Sequence, residues 1–129
     1  MLSKDKNEYL IDTDVLVDHL IYKGNEKSHL EKLMESGICF TTVINSAELY
    51  FTVRDNIEKD SVDALMKAVT VLGFHARYSL LVSEFTEKVN SVRDALFCVT
   101  AKINKLKVVT ENINRYSNTE LEIIDPKNL

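Results

Sequence analysis

One proline and three glycines in 129 residues leave little to punctuate this chain, and no Pro-, Ser- or Gly-rich stretch divides it. Residues 1–129 therefore read as a single domain, of a size that buries roughly two thirds of its unfolded surface without covalent staples. Cysteine is equally scarce. Cys39 and Cys98 stand far apart, with no Cys-x-x-Cys pair and no histidine at zinc-finger spacing, so they read as buried thiols rather than as a structural zinc site. His19, His29 and His75 are scattered and form no His-x-x-x-His pair. No apolar run approaches the roughly 20 residues of a membrane span. Met1 to Glu8 is polar and lacks the apolar core of a secretory signal, so a cytoplasmic protein is expected, with no membrane partner. A hydrophobic content of 45% with 28% charged residues excludes the disordered, collagen-like and disulfide-rich classes.

The net charge of −4 argues against a basic nucleic-acid-binding surface, because phosphate binding is driven by cationic side chains releasing counterions. The total hides its distribution. Asp12 directly follows the apolar run Tyr9-Leu10-Ile11, Glu48 lies inside Ser46-Ala47-Glu48-Leu49, and Asp94 lies inside Arg93-Asp94-Ala95-Leu96. A carboxylate beside apolar surface is costly unless something positive pairs with it, and a divalent metal stabilises several at once while reversing the local sign of the field. Three dispersed acids in such settings suggest one converged site built around a hard cation.

Tyr9 to Asp12 reads as a short buried strand, and Val15, Leu16, Leu20 and Ile21 continue as the stripe of a helix ended by Gly24. A second helix is predicted over about 26–35, with Gly37 as its stop, then a strand over 38–41 and a helix over about 45–55 that carries Glu48 and is capped by Asn45 and Ser46. Helical spacing of Val62, Leu65, Met66 and Val69 predicts a helix over 58–72 closed by Gly73. A strand over 74–78, a helix over 83–89 and a stronger helix over 93–104 follow. Residues 107–110 and 121–124 read as late strands, with Pro126 punctuating the end. Strands alternating with helices indicate an α/β fold with a central, mainly parallel sheet flanked by helices, and sites in such sheets lie at the carboxyl ends of strands.

Asp12 and Asp14 resemble the Asp-x-Asp opening of haloacid-dehalogenase-type phosphotransferases, in which Asp12 would be the nucleophile and Thr41 or Thr42 would supply a hydroxyl. A wider resemblance covers nearly the whole chain. Ile11-Asp12-Thr13-Asp14 is similar to the strand-ending Asp-Thr-Asn/Ser of PIN domains, in particular of VapC-type toxin ribonucleases. Thr42 to Leu49 resembles that family's helix with an embedded Glu, Arg93-Asp94-Ala95-Leu96 its Asp-Ala-hydrophobic helix start, and Val108-Val109-Thr110-Glu111-Asn112 its strand-Thr-x-Asp ending, followed by a closing strand with Asp125-Pro126.

The resemblance implies a three-layer PIN-like fold and a metal-dependent endoribonuclease, the toxin of a toxin-antitoxin pair. Asp12, Glu48 and Asp94 would hold Mg²⁺ or Mn²⁺, and Asn112 would complete the catalytic set. The family pattern has Asp at that fourth position, so Asn112 implies one well-held ion and a weaker, substrate-assisted second. Asp14 would support the site, and Thr13 and Thr110 would orient its carboxylates by hydrogen bonding. Lys102, Lys105, Lys107 and Arg115 are candidate contacts for RNA phosphates, or else a solvated helix face. Tyr50, Phe51, Tyr78, Phe85 and Phe97 can stack on bases or fill the core. Leu16, Leu20, Leu30 and Leu33 exceed what one core needs, and the resemblance implies a homodimer face or a groove for a small antitoxin protein. The remaining alternative is a PIN-like module that binds nucleic acid or protein with weak or no catalysis.

Overall fold

The computed structural model describes residues 7–129; Met1 to Lys6 lie outside the described residues. Five strands form one sheet: β1 (Asn7–Ile11), β2 (Gly37–Thr42), β3 (Thr70–Leu72), β4 (Lys107–Val109) and β5 (Ile123–Ile124). Their order is β3-β2-β1-β4-β5, and every pair is parallel. Connections run outward from β1 to β2 and β3, then the chain crosses to β4 on the other side. The strand order therefore reverses between β1 and β4, and a crevice opens beyond their carboxyl ends, where such sheets place ligands.

Successive strand residues point to opposite faces, and the sheet uses both. Tyr9, Ile11 and Val109 join Val15, Leu16, Leu30, Leu33, Leu49, Val62 and Leu65 in one core. That core packs α1 (Thr13–Ile21), α2 (His29–Ser36), α3 (Val43–Phe51) and α4 (Asn56–Ala68). Leu10 and Val108 point the other way, into a second core with Phe85, Phe97, Cys98, Val99 and Tyr116. This second layer is built by α5 (Tyr78–Leu81), the 3-10 turn Val82–Phe85 and α6 (Val92–Asn104). The expected three-layer α/β arrangement is thus what forms. Cys39 and Cys98 are buried and free, and burial pushes their thiols up to about 11 and about 12, so both stay protonated at neutral pH.

Several boundaries differ from the sequence reading. The second helix starts at His29 because Ser28 and Glu31 form a reciprocal capping box. The third starts at Val43, not Asn45, because Thr42 is the cap and Asn45 closes the box from inside. Helix α4 ends at Ala68, and the third strand is Thr70–Leu72 rather than residues 74–78, of which 74–77 form a loop and Tyr78 opens α5. The helix expected over 83–89 is a 3-10 turn ending at Phe85. Gly37 does stop α2, and it needs to be glycine because a Cβ there would lie 2.3 Å from the Asn7 carbonyl oxygen of the neighbouring strand. Leu16, Leu30 and Leu33 are fully buried and Leu20 packs against the same core, so none is surplus; a sheet covered on both faces needs two cores.

Candidate active site

Four chain segments meet in the crevice. Asp12 ends β1 and caps α1, its side chain accepting from the Thr13 N–H at 2.8 Å. On α3, Asn45 and Glu48 are one turn apart and share a face. Asn45 Nδ2 donates to Asp12 Oδ1 at 3.3 Å and to Thr13 Oγ1 at 2.8 Å, and Thr13 Oγ1 donates to Glu48 Oε1 at 2.6 Å. Ser91 caps α6 by accepting from the Asp94 N–H, which sets Asp94 in the first turn, where the helix dipole favours a carboxylate. After β4, Thr110 Oγ1 donates to Asp12 Oδ2 at 3.1 Å, and the 3-10 turn Ile113–Tyr116 brings in the buried Tyr116, whose hydroxyl donates to the same oxygen at 3.0 Å.

Asp12, Glu48 and Asp94 are thus brought together, and what lies between them is Arg93. Its Nη2 shares two hydrogens among Asp12 Oδ1 at 2.9 Å, Glu48 Oε1 at 2.8 Å and Thr13 Oγ1 at 3.1 Å. Its Nη1 donates to Asp94 Oδ1 at 3.0 Å and the Tyr116 hydroxyl at 2.9 Å, and its Nε to Glu48 Oε2 at 3.2 Å. The guanidinium also lies 5.5 Å from the Phe97 ring centroid, and Phe97 stacks on Tyr116 at 5.3 Å. Arg115 stands further out, 3.7 Å from Asp12 and 3.8 Å from Asp94.

The electrostatics follow from this pairing. Burial works against charge on Arg93, but the Glu48 hydrogen bonds and the Asp12 charge outweigh it and hold its pKa above the ordinary value. Burial would raise Glu48; hydrogen bonds from Arg93 and Thr13 overcome that and bring it below the usual carboxylate range. Asp14 moves the other way, raised by burial and then by the neighbouring Asp12 charge. Its Oδ2 accepts from the Glu111 N–H at 3.2 Å and, also at 3.2 Å, shares the single Thr110 hydroxyl proton with Asp12, while Oδ1 is buried without a partner.

Asn112 is exposed, and its backbone N–H donates to Thr110 Oγ1 at 3.2 Å; no side-chain hydrogen bond joins it to the acids. Of the candidate phosphate contacts, only Arg115 reaches the crevice. Lys102 sits in the last turn of α6 and pairs with Glu84 at 2.5 Å, Lys105 ends that helix in the left-handed region at φ 56°, and Lys107 opens β4 and bonds Asn7. All three lie toward the opposite end of the strands from Asp12. Phe85 and Phe97 are core residues, while Phe51 is 91% exposed. Arg93 and Tyr116 are the site residues that sequence reasoning passed over. One signal was available for the first: an acid on apolar surface needs a positive partner, and an arginine adjoins Asp94.

Carboxylates gathered at the strand-order switch point of an all-parallel α/β domain mark a candidate site, and family comparison says which fold family holds it. The chain belongs to the PIN domain family, whose model matches residues 9–119. Solved structures share the fold at low identity. A toxin-antitoxin complex from Klebsiella pneumoniae matches with TM-score 0.75 at 14% identity, covering 92% of this chain and 97% of that one. VapBC2 from Rickettsia felis, bound to a DNA fragment from its promoter, matches with TM-score 0.75 at 19% identity, over 91% and 97% of the two chains. VapBC-1 from nontypeable Haemophilus influenzae gives 0.75 at 16% identity, over 93% and 98%. No curated protein matches in sequence. With the family in place and the Thr41 and Thr42 hydroxyls committed to the Ile11 carbonyl and the α3 cap, the phosphotransferase expectation is set aside.

PIN nucleases generally use divalent metals, and the donor set here suits one. Three carboxylates, the hard ligands such ions prefer, stand on three separate elements and all reach one positive centre within 3.0 Å. That centre is the Arg93 guanidinium, and among the described residues no three acidic, histidine or cysteine side chains are grouped to share an ion.

Proposed function

We propose that this protein is a metal-dependent endoribonuclease, the toxin of a toxin-antitoxin pair, in which Asp12, Glu48 and Asp94 hold Mg²⁺ or Mn²⁺. The observation that carries this reading is the convergence of three carboxylates, from β1, α3 and α6, on one positive charge at the switch point of a PIN fold. When bound, such an ion makes water nucleophilic at neutral pH and offsets charge on the departing oxygen. The chain's own residues do the rest. Thr13 and Thr110 hold Glu48 and Asp12 in orientation. An open depression of about 410 Å³ over Thr13, Asp14, Glu48, Arg93 and Arg115 gives an RNA backbone room to enter, with Arg115 as a phosphate contact. Asn112 brings no charge, so a second ion would be held weakly and with help from substrate.

The test is purified chain, free of partner, incubated with structured RNA and Mg²⁺ or Mn²⁺. Cleavage is expected, falling about 100-fold or more in Asp12→Asn and Asp94→Asn, since loss of a metal's charge stabilisation costs several kcal/mol. Cleavage that survives both substitutions sinks the assignment. One observation favours a second reading, a PIN-like binding module without catalysis: Arg93 fills the space an ion would take. Failure to bind either metal, together with inert RNA, selects that reading.

The fold neighbours were solved as toxin-antitoxin complexes, which supports a small antitoxin partner. An apolar groove lined by Val17, Leu20 and Ile21 of α1, Leu49 of α3, Val53 of the loop after it and Val62 of α4, with Phe51 of α3 and Ile57 of α4 exposed, suits an amphipathic helix from that partner. A small protein encoded beside this chain is expected to suppress cleavage when mixed one to one; cleavage unchanged by it counts against the partnership. Exposed Leu80 and Ile103, on the other layer, support pairing with a second copy. Sedimentation of the chain as a monomer removes that homodimer. Among the described residues no helix is long and apolar enough to cross a membrane.

A further inference from the structure

We infer that Arg93 is a resident counter-ion of the carboxylate site, and that a divalent metal enters only by exchange with its guanidinium. This rests on the metal reading above and adds a gate to it. The guanidinium is not a loosely placed surface charge: all of its nitrogens donate, to Asp12, Glu48, Asp94, Thr13 and Tyr116, at 2.8–3.2 Å. Arg93 has five N–H donors in a rigid fork, and this site uses the whole fork.

The oxygens that face the centre, Asp12 Oδ1, Glu48 Oε1 and Asp94 Oδ1, are the ones the guanidinium occupies. An ion held by Asp12, Glu48 and Asp94 would put a second positive charge beside the guanidinium that already pairs with them, so the two occupants exclude each other. The metal-free site is self-sufficient, because Arg93 neutralises the acids from within and Arg115 adds positive charge 3.7–3.8 Å from two of them. A site with bare carboxylates would instead need the ion in order to fold quietly.

Arg93 has somewhere to go. Its side chain is 20% exposed and borders the open depression in which an RNA backbone is proposed to lie. Displaced from the acids, the guanidinium would reach that depression, and a phosphodiester offers it the bidentate partner it has lost. Metal and phosphodiester therefore load together, and the free protein binds metal weakly.

The experiment is a calorimetric titration of the full chain with Mn²⁺, comparing the unaltered protein with Asp12→Asn, with Arg93→Gln and with the two substitutions combined. Arg93→Gln is expected to bind Mn²⁺ at least tenfold more tightly, and the double variant to lose that gain. Equal affinity in the unaltered chain and Arg93→Gln, abolished in each by Asp12→Asn, overturns the exchange and leaves the metal reading standing. No binding in either overturns the metal reading and the exchange with it. Should Arg93→Gln not fold, the unaltered ¹⁵N-labelled chain decides: Mg²⁺ at saturation must move the Arg93 Nε–H resonance, assigned through Arg93→Lys, and speed its exchange with water. A resonance unmoved at saturation overturns the exchange.

Discussion

Asp12→Ala is expected to cost the metal-free protein about 3–5 kcal/mol, the range for breaking a buried ion pair from one side. Asp12 is fully buried, and its carboxylate accepts from the Thr13 N–H, Asn45, Arg93, Thr110 and Tyr116. Alanine leaves the Tyr116 and Thr110 hydroxyls without that acceptor and reduces the pairing of a guanidinium that is itself largely out of solvent. At about 4 °C per kcal/mol the melting temperature falls by roughly 10–20 °C. Asp12→Asn keeps the shape and one acceptor and is expected to lose about 1–3 kcal/mol.

The sign of this effect separates two pictures of the site. Were the acids unpaired and waiting for an ion, they would repel one another, and removing one would raise the stability of the metal-free chain. Paired through Arg93, they hold β1, α3 and α6 together, and removing one loosens all three elements. Thermal unfolding followed by circular dichroism in chelator reads the answer directly. An Asp12→Ala protein that melts within a few degrees of the unaltered chain, or above it, contradicts the network.

The acids were legible in the sequence because each sits in a locally recognisable setting: Asp12 at the end of an apolar strand, Glu48 and Asp94 on amphipathic helices. Their order along the chain then put Asp12 at a strand end of a parallel sheet, Glu48 in the third helix and Asp94 at a later helix start. Arg93 left only the weak signal of an arginine beside a helical acid, which has no period, and its side chain is long enough to point anywhere. Tyr116 was missed for a related reason. It is carried by a 3-10 turn rather than a helix or strand, so no pattern announces that its ring is buried on Phe97.

The misplaced third strand has its own cause. Thr70–Leu72 is three residues long, sits at the sheet edge and is largely exposed. It therefore lacks the alternating burial that marks a strand, and Val69 continues the helical spacing of Val62, Leu65 and Met66 straight into it. Lys102 and Lys105 are close to Asp94 in sequence but carried away from it along α6, which rises about 1.5 Å per residue, and Lys107 opens β4 at that far end. Global charge also said little: the net −4 conceals a crevice where carboxylates and arginines nearly balance.

Phe97→Ala is expected to lose about 3–5 kcal/mol, the cost of emptying a buried aromatic site, with a fall in melting temperature of roughly 10–20 °C. Phe97 is 2% exposed in the core between α6 and the sheet, and it does two further things there. Its ring supports Tyr116, whose hydroxyl serves Asp12, and it underlies the Arg93 guanidinium. Phe97→Leu separates the contributions. Leucine refills most of the volume but removes the stacking, worth about 0.5–1.5 kcal/mol for such aromatic pairs. A large loss for alanine and a small one for leucine, by urea unfolding, places most of the effect in packing. Equal losses would place it in the aromatic contacts instead, and a loss below about 1 kcal/mol in both would contradict the burial of this side chain. Because Arg93 and Phe97 lie one turn apart on α6, the residue that fills the core is also the floor on which the site's central cation rests, so a defect in packing reaches the carboxylates without touching them.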